Sequence, residues 1–109
     1  MENRIKDTLR SLGITTNYYG FHGVLSAVEL VLEDGDRLQS VTREIYWAVA
    51  EKSGCKRAAV ERNIRTVVQR AWRINPRLLI NMAGYPLNEP PTASEFIEIV
   101  ANYVERNYA

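Results

Sequence analysis

The apolar residues of this 109-residue chain recur every three or four positions along most of its length, a spacing that places them on one face of a helix. Nowhere does the alternation of apolar and polar residues that marks a half-buried strand compete with this spacing. The pattern therefore predicts an all-α fold, a single bundle of about six helices. The predicted helices span residues 4–12, 21–33, 40–52, 56–73 and 76–82, and the last one follows Thr92.

The apolar faces of three predicted helices define their inward sides. Helix 21–33 has a face wide enough for a central, largely buried position. In helix 40–52 the inward residues are Val41, Ile45, Ala48 and Val49. In helix 56–73 they are Val60, Ile64, Val67, Val68 and Ala71.

Local signals mark where several helices begin and end. Gly13 stops the first, Asp34-Gly35-Asp36 breaks the second, and Gly84 ends the fifth. Thr92-Ala93-Ser94-Glu95 is a capping box, in which the threonine hydroxyl and the glutamate carboxylate each accept a hydrogen bond from a backbone N–H of the other residue. A chain of this length is large enough to bury its own core, so we expect one domain covering residues 1–109.

The segment from Ile45 to Trp72 has the pattern of a helix-turn-helix, in which the second helix lies in the major groove of DNA. Ala50 is small enough for the two helices to cross closely, Gly54 suits a turn with a positive φ angle, and Val60 fills the angle between the helices. Many unrelated sequences share this spacing. The interpretation therefore depends on what the second helix exposes.

Charge is concentrated on that second helix. The net charge of the chain is only +1, but residues 56–73 hold six basic residues against the single acid Glu61, which makes this segment about +5 and the rest about −4. A polyanion responds to this local field, because salt screens charges beyond about 8 Å. The alternative is an ordinary solvated face.

The outward face of helix 56–73 supplies the candidate DNA-binding residues. Arg62 can present its two parallel donors to guanine, and Glu61 can accept from the amino group of cytosine. Alternatively, Glu61 pairs with Arg65 one helical turn away. The candidates are Lys56, Arg57, Glu61, Arg62, Asn63, Arg65 and Thr66, with Lys56, Arg57 and Arg65 assigned to phosphates.

Other chemistry finds little support in the composition. Cys55 and His22 are the only cysteine and the only histidine, so an internal disulfide is excluded and a protein-only zinc site is not expected. No nucleophile, acid–base pair or phosphate-binding glycine loop can be assembled, so we expect neither an enzyme nor a cofactor. Without a signal peptide or an apolar run of membrane-spanning length, the expected location is the cytoplasm.

An ordered set of residues outside and inside the motif matches a known family. The matches are Gly13-Ile14, Tyr19-Gly20, Ser40-Val41-Thr42, Val60-Glu61-Arg62, Ile64-Arg65, Ala71-Trp72, Gly84-Tyr85, Pro91-Thr92 and Ser94-Glu95-Phe96-Ile97. Together they resemble the C-terminal DNA-binding effector domain of the stage-zero sporulation master regulator, a response-regulator family. The resemblance spans nearly the whole chain, with an apparent shortening between Trp72 and Pro91.

This resemblance implies a six-helix domain that binds a short repeated element of double-stranded DNA as dimers or tandem copies. It assigns base reading to Glu61 and Arg62, and contact with RNA polymerase to the helix and loop after Trp72. The chain departs from the family in two ways. Ala58-Ala59 replaces an expected serine-arginine, which removes one base-reading arginine worth about 1–3 kcal/mol of discrimination. The family's receiver domain is not part of this sequence, which leaves two alternatives: an excised effector domain, or a stand-alone relative without that switch.

Two functions therefore remain open from the sequence. The first is sequence-specific DNA binding and transcription regulation. The second is a protein-interaction module that keeps the fold but has lost specific DNA recognition, as Ala58-Ala59 and the missing receiver domain suggest. Salt-sensitive binding to a DNA duplex distinguishes them.

Overall fold

A computed structural model of the protein describes residues 2–18 and 20–108; Tyr19, one of the residues that carry the family resemblance, lies outside them. No strand occurs among the described residues, so the prediction of an all-α fold with about six helices is confirmed. The α-helices are α1 (Glu2–Ser11), α2 (Phe21–Glu33), α3 (Trp47–Ser53), α4 (Arg57–Ile74), α5 (Pro76–Ala83) and α6 (Ala93–Tyr108).

The segment between α2 and α3 differs from the prediction of a single helix over residues 40–52. Asp34 ends α2 as predicted, but the chain continues at once as a 3₁₀ helix, Gly35–Ser40, followed by a π turn, Thr42–Tyr46. The Asp34 carboxylate accepts a hydrogen bond from the backbone N–H of Asp36 at 3.0 Å, which caps the 3₁₀ helix.

The predicted inward residues of this segment are buried to different depths. Ile45 and Val49 are buried and Val41 packs half-buried against the core, as predicted, whereas Ala48, which follows the π turn, is only half-buried. A π turn closes its hydrogen bonds over one residue more than an α-helix does, so the 3.6-residue spacing does not continue across it.

Helix α2 has the predicted central position, because it contacts α1, α3, α4 and α6. Its buried side chains are Phe21, Val24, Leu25, Ala27, Val28 and Val31. Large apolar side chains of this kind contribute about 1.5–3 kcal/mol each when they are fully buried. The core therefore forms around α2, and α4 packs against one side of it.

Two contacts with the segment before α2 fix the position of α4. Gly20 has a φ of +96°, and an added Cβ would lie 2.8 Å from the carbonyl oxygen of Asn63, so the loop lies directly against the helix backbone. Farther along α4, Arg70 Nε donates to the carbonyl oxygen of Gly13 at 3.0 Å, and its guanidinium lies 4.9 Å from the Tyr18 ring centroid. These contacts hold the inner side of α4 and leave its outer side exposed.

Helix α6 begins with the predicted capping box. The backbone N–H of Thr92 donates to Glu95 Oε1 at 2.8 Å, and the backbone N–H of Glu95 donates to Thr92 Oγ1 at 3.2 Å. Helix α5 begins with Pro76 in its first turn, and the Asn75 side chain accepts from the N–H of Leu78 at 3.3 Å. Two helices thus start with the capping groups that helix N-termini normally use.

Candidate nucleic-acid interface

Helices α3 and α4 are joined by a turn of three residues. Gly54 ends α3 with a φ of +75° and donates its backbone N–H to the carbonyl oxygen of Ala50 at 2.9 Å. Lys56 is extended, and α4 begins at the next residue. Ala50 is 4% exposed and Val60 is 2% exposed, so both residues are buried, as expected for residues at which the two helices approach. The turn therefore holds α4 against α3 with its outer face in solvent.

The outer face of α4 carries most of the candidate residues. Lys56, Arg57, Glu61, Arg62, Arg65 and Thr66 are exposed, and Asn63 is half-buried beside Gly20. The opposite face is buried through Val60, Ile64, Val67, Val68 and Ala71, as the periodicity predicted. The side chains expected to contact DNA thus share one accessible surface, with Asn63 at its edge.

The N-terminus of α4 lacks the capping that α5 and α6 possess. Lys56 occupies the N-cap position without a side-chain hydrogen bond, the first turn contains no acid, and Arg57 is the first helical residue. Cations are unfavourable at the positive end of the helix dipole. Together the two cations and the free N–H groups produce a local field that favours an anion.

The arginines of α4 differ in what they contact. Arg65 forms an ion pair with Glu61 at 3.4 Å, which is the alternative that the sequence left open for Glu61. Arg70, which the charge count included in the basic segment, turns inward to Gly13 and Tyr18. Among the described residues no carboxylate pairs with Arg57 or Arg62. These two guanidinium groups are thus available to an external anion.

Sequence reasoning missed an aromatic contact beneath this surface. The Cζ atom of Arg57 lies 4.0 Å from the ring centroid of Trp47, and the Cζ atom of Arg43 lies 5.8 Å from the same ring. The spacing of ten residues between Trp47 and Arg57 spans a helix and a turn, so no periodic signal reveals the contact. Trp47 itself is half-buried.

Tyr46 is buried where the π turn meets α4. Burial, together with a smaller effect of the Glu61 charge, raises the pKa of Tyr46 to about 12, and the charge of Arg65 partly opposes this rise. The phenol is therefore neutral under physiological conditions and adds no charge beneath the Glu61–Arg65 pair.

Metal clusters and membrane-spanning helices are both absent from the parts of the chain described by the structure. No group of three or more histidine, cysteine, aspartate or glutamate residues within residues 2–18 and 20–108 could hold a metal ion. In the same ranges, no helix is long and apolar enough to cross a membrane.

An exposed basic helix, held by a short turn on an all-helical scaffold, is typical of small DNA-binding regulatory domains. The family model described as the C-terminal domain of the sporulation initiation factor Spo0A matches residues 5–104. The chain therefore belongs to this family, the DNA-binding effector domain of a sporulation transcription regulator. The resemblance inferred from the sequence is confirmed.

Proposed function

We propose that this protein binds double-stranded DNA in a sequence-specific manner by placing α4 in the major groove, and that it regulates transcription from the sites it binds. The observation that carries this proposal is the outer face of α4, where Arg57 and Arg62 have no carboxylate partner among the described residues and the N-terminus has no capping acid. Membership of a DNA-binding family supports it.

The proposed contacts divide into two groups. Lys56, Arg57 and Arg65 bind phosphates and set the register of α4 on the duplex. Arg62 reads guanine through its two parallel donors, and Glu61 accepts from the amino group of cytosine.

Base reading by Glu61 requires it to leave Arg65. The Glu61–Arg65 pair is exposed at both ends, and exposed pairs of this kind contribute only about 0.3–0.5 kcal/mol. Breaking the pair so that Glu61 contacts a base and Arg65 contacts a phosphate therefore costs little free energy. Both side chains are already at the surface in the free protein.

Three further residues of α4 have smaller proposed roles. The Thr66 hydroxyl donates to the carbonyl oxygen of Arg62 at 3.0 Å, which leaves its methyl group for an apolar contact with thymine. Asn63 is half-buried and contributes at the edge of the interface. Ala58 is exposed and carries no hydrogen-bonding group, so discrimination through hydrogen bonds depends mainly on Glu61 and Arg62.

The decisive experiment begins with selection of bound sequences from a random duplex pool, followed by titration of variants against the selected duplex and a random one. Arg62→Ala should weaken the selected duplex by about 1–3 kcal/mol, roughly five- to 150-fold, with much less effect on the random duplex. Lys56→Ala should weaken both duplexes equally and reduce the salt slope by about 0.9.

The outcome that contradicts the proposal is equally specific. If the unaltered protein shows no salt-sensitive binding to any duplex, the chain is a protein-interaction module that has kept the fold. If it binds but both variants lose affinity equally on the two duplexes, the assignment of base reading to Arg62 is wrong.

The proposal extends to assembly. Copies of the domain would bind as dimers or in tandem on repeated sites in the cytoplasm, and α5 with the loop after it would contact RNA polymerase. Ile74, just before α5 in the sequence, is 51% exposed, and Tyr85, just after it, is 43% exposed. Apolar surface is therefore available next to each end of α5. Footprinting on duplexes with one or two sites tests the first statement, and crosslinking at Tyr85 tests the second.

A further inference from the structure

We propose that Trp47 is a positioning residue that holds Arg57, and more loosely Arg43, as a phosphate-binding pair. This pair would extend the DNA interface from α4 onto the segment that precedes α3. The inference rests on the proposed function and adds to it two residues, Trp47 and Arg43, that lie outside α4.

The geometry of the Arg57 contact is the first argument. The guanidinium carbon lies 4.0 Å from the indole centroid, within the range where the ring attracts a cation. Trp47 is the first residue of α3 and Arg57 the first residue of α4, so the contact joins the starts of the two helices. A flexible side chain at the N-terminus of α4 is thereby held near one place.

The second argument is that stacking leaves the hydrogen-bonding edge of the guanidinium free. An arginine paired with a carboxylate uses its N–H groups for that pair, as Arg65 does with Glu61. An arginine stacked on an aromatic ring uses only its face, so its N–H groups can still reach phosphate oxygens. No carboxylate pairs with Arg57 or Arg43 in the part of the chain that the structure describes.

The third argument is the location of Arg43. It lies in the π turn and is exposed, and its guanidinium carbon is 5.8 Å from the centroid of the same indole. In helix-turn-helix proteins, the element before the recognition helix crosses the DNA backbone. A second cation beside Trp47 would thus meet a phosphate on the strand that α4 has already approached.

Pre-organisation explains why the tryptophan matters for binding. Arginine has many rotamers in the free state, and ordering them at the moment of binding reduces affinity. A side chain that is already stacked has lost part of this freedom before DNA arrives. Removal of the ring should therefore weaken binding even though it removes no charge.

The test measures affinity and salt slope for the full chain with two fluorescently labelled duplexes, one selected and one of random sequence. Trp47→Leu should weaken both duplexes about two- to five-fold, and Trp47→Phe should weaken them less than Trp47→Leu does, because phenylalanine still attracts a cation, although less strongly than tryptophan. Arg57→Ala should lower the salt slope by about 0.9, the value for one phosphate contact. Arg57→Lys should behave like Trp47→Leu, since an ammonium group retains the charge but not the planar stack.

A double-mutant cycle separates positioning from general packing. In the Arg57→Ala background, the effect of Trp47→Leu should fall below about two-fold, with the remainder due to Arg43. Arg73 provides the matched control, because it is an exposed arginine at the other end of α4, and Arg73→Ala and Trp47→Leu should be additive. Urea unfolding of each variant shows whether it is folded. If Trp47→Leu is unfolded, a second cycle, Trp47→Phe with Arg57→Lys, replaces the cycle of Trp47→Leu with Arg57→Ala.

Each result bears on a different statement. Coupling between Trp47 and Arg57, without coupling to Arg73, supports the inference. The positioning role is wrong if Trp47→Leu lowers DNA affinity equally in the unaltered protein and in Arg57→Ala, or does not lower it at all. The proposed function is still supported in that case, provided that DNA binding depends on salt. Absence of salt-dependent binding by the unaltered protein overturns both.

Discussion

Replacement of Gly20 by alanine should destabilise the protein by an amount that follows from the close approach of the loop to α4. Gly20 has a φ of +96°, a backbone conformation that costs an L-amino acid with a Cβ about 1–2 kcal/mol. The added Cβ would also lie 2.8 Å from the carbonyl oxygen of Asn63 and 3.0 Å from Cγ2 of Val67. Because the first of these neighbours is helix backbone, α4 or the loop must move.

The magnitude is the sum of these two effects. Overpacking of a well-packed contact costs about 1–3 kcal/mol, so Gly20→Ala should lower the free energy of unfolding by about 2–5 kcal/mol. The midpoint of urea unfolding should fall while its slope stays nearly constant, since the change acts on the native state.

Two other glycines provide matched controls. Gly54 has a φ of +75° but no atom within 4 Å of an added Cβ, so Gly54→Ala should lose only the backbone contribution of about 1–2 kcal/mol. Gly35 has neither an unusual φ nor a close neighbour, and Gly35→Ala should stabilise the protein by about 0.4–1 kcal/mol. If Gly20→Ala costs no more than Gly54→Ala, the direct contact between the loop and α4 is not the reason for the glycine.

Three further predictions concern single side chains. Glu61→Gln should raise affinity for a random duplex, because it removes a negative charge and frees Arg65 from the ion pair at 3.4 Å. A fall in affinity for the random duplex would contradict this prediction. The pKa of Tyr46 is raised to about 12, so between about pH 10 and pH 12 the folded state keeps a proton that the unfolded chain releases. The contribution of Tyr46 to stability is therefore fully present below about pH 10 and is lost as the pH rises to about 12. Tyr46→Phe should make that fall less steep in urea unfolding across the pH series, and an unchanged slope would refute it. Thr92→Ala should cost about 0.5–2 kcal/mol in the same assay, whereas Glu95→Gln, which keeps a capping acceptor, should cost clearly less.

The local features of the fold were predictable because they depend on residues close together in the sequence. The spacing of apolar residues placed Val60, Ile64 and Val67 on the buried side of α4, and all three are buried. The capping box at Thr92 and the left-handed Gly54 follow from the preferences of single residues. The exposed face of α4 follows from the same periodicity, since polar and charged residues occupy the side opposite the buried one.

The same reasoning reached its limit where α3 begins. A π turn cannot be read from a 3.6-residue period, because it changes that period, and Ala48, which follows the turn, is therefore less buried than predicted. Composition likewise counted Arg70 in the charge of the basic segment 56–73 but could not show what it contacts. Its hydrogen bond joins it to Gly13, 57 residues away in the sequence, and only the folded chain brings the two together.

By itself, the sequence determined the helical class of this protein, the inward and outward faces of α4, and the family to which it belongs. The sequence also offered the Glu61–Arg65 pair within α4, whereas the tertiary structure alone decided the partners of two other arginines: Arg70 is turned inward to Gly13, and Arg57 lies over the ring of Trp47. The physical reason is that periodicity specifies the direction of a side chain from its own helix. The partner that it meets there depends on how separate helices pack against one another.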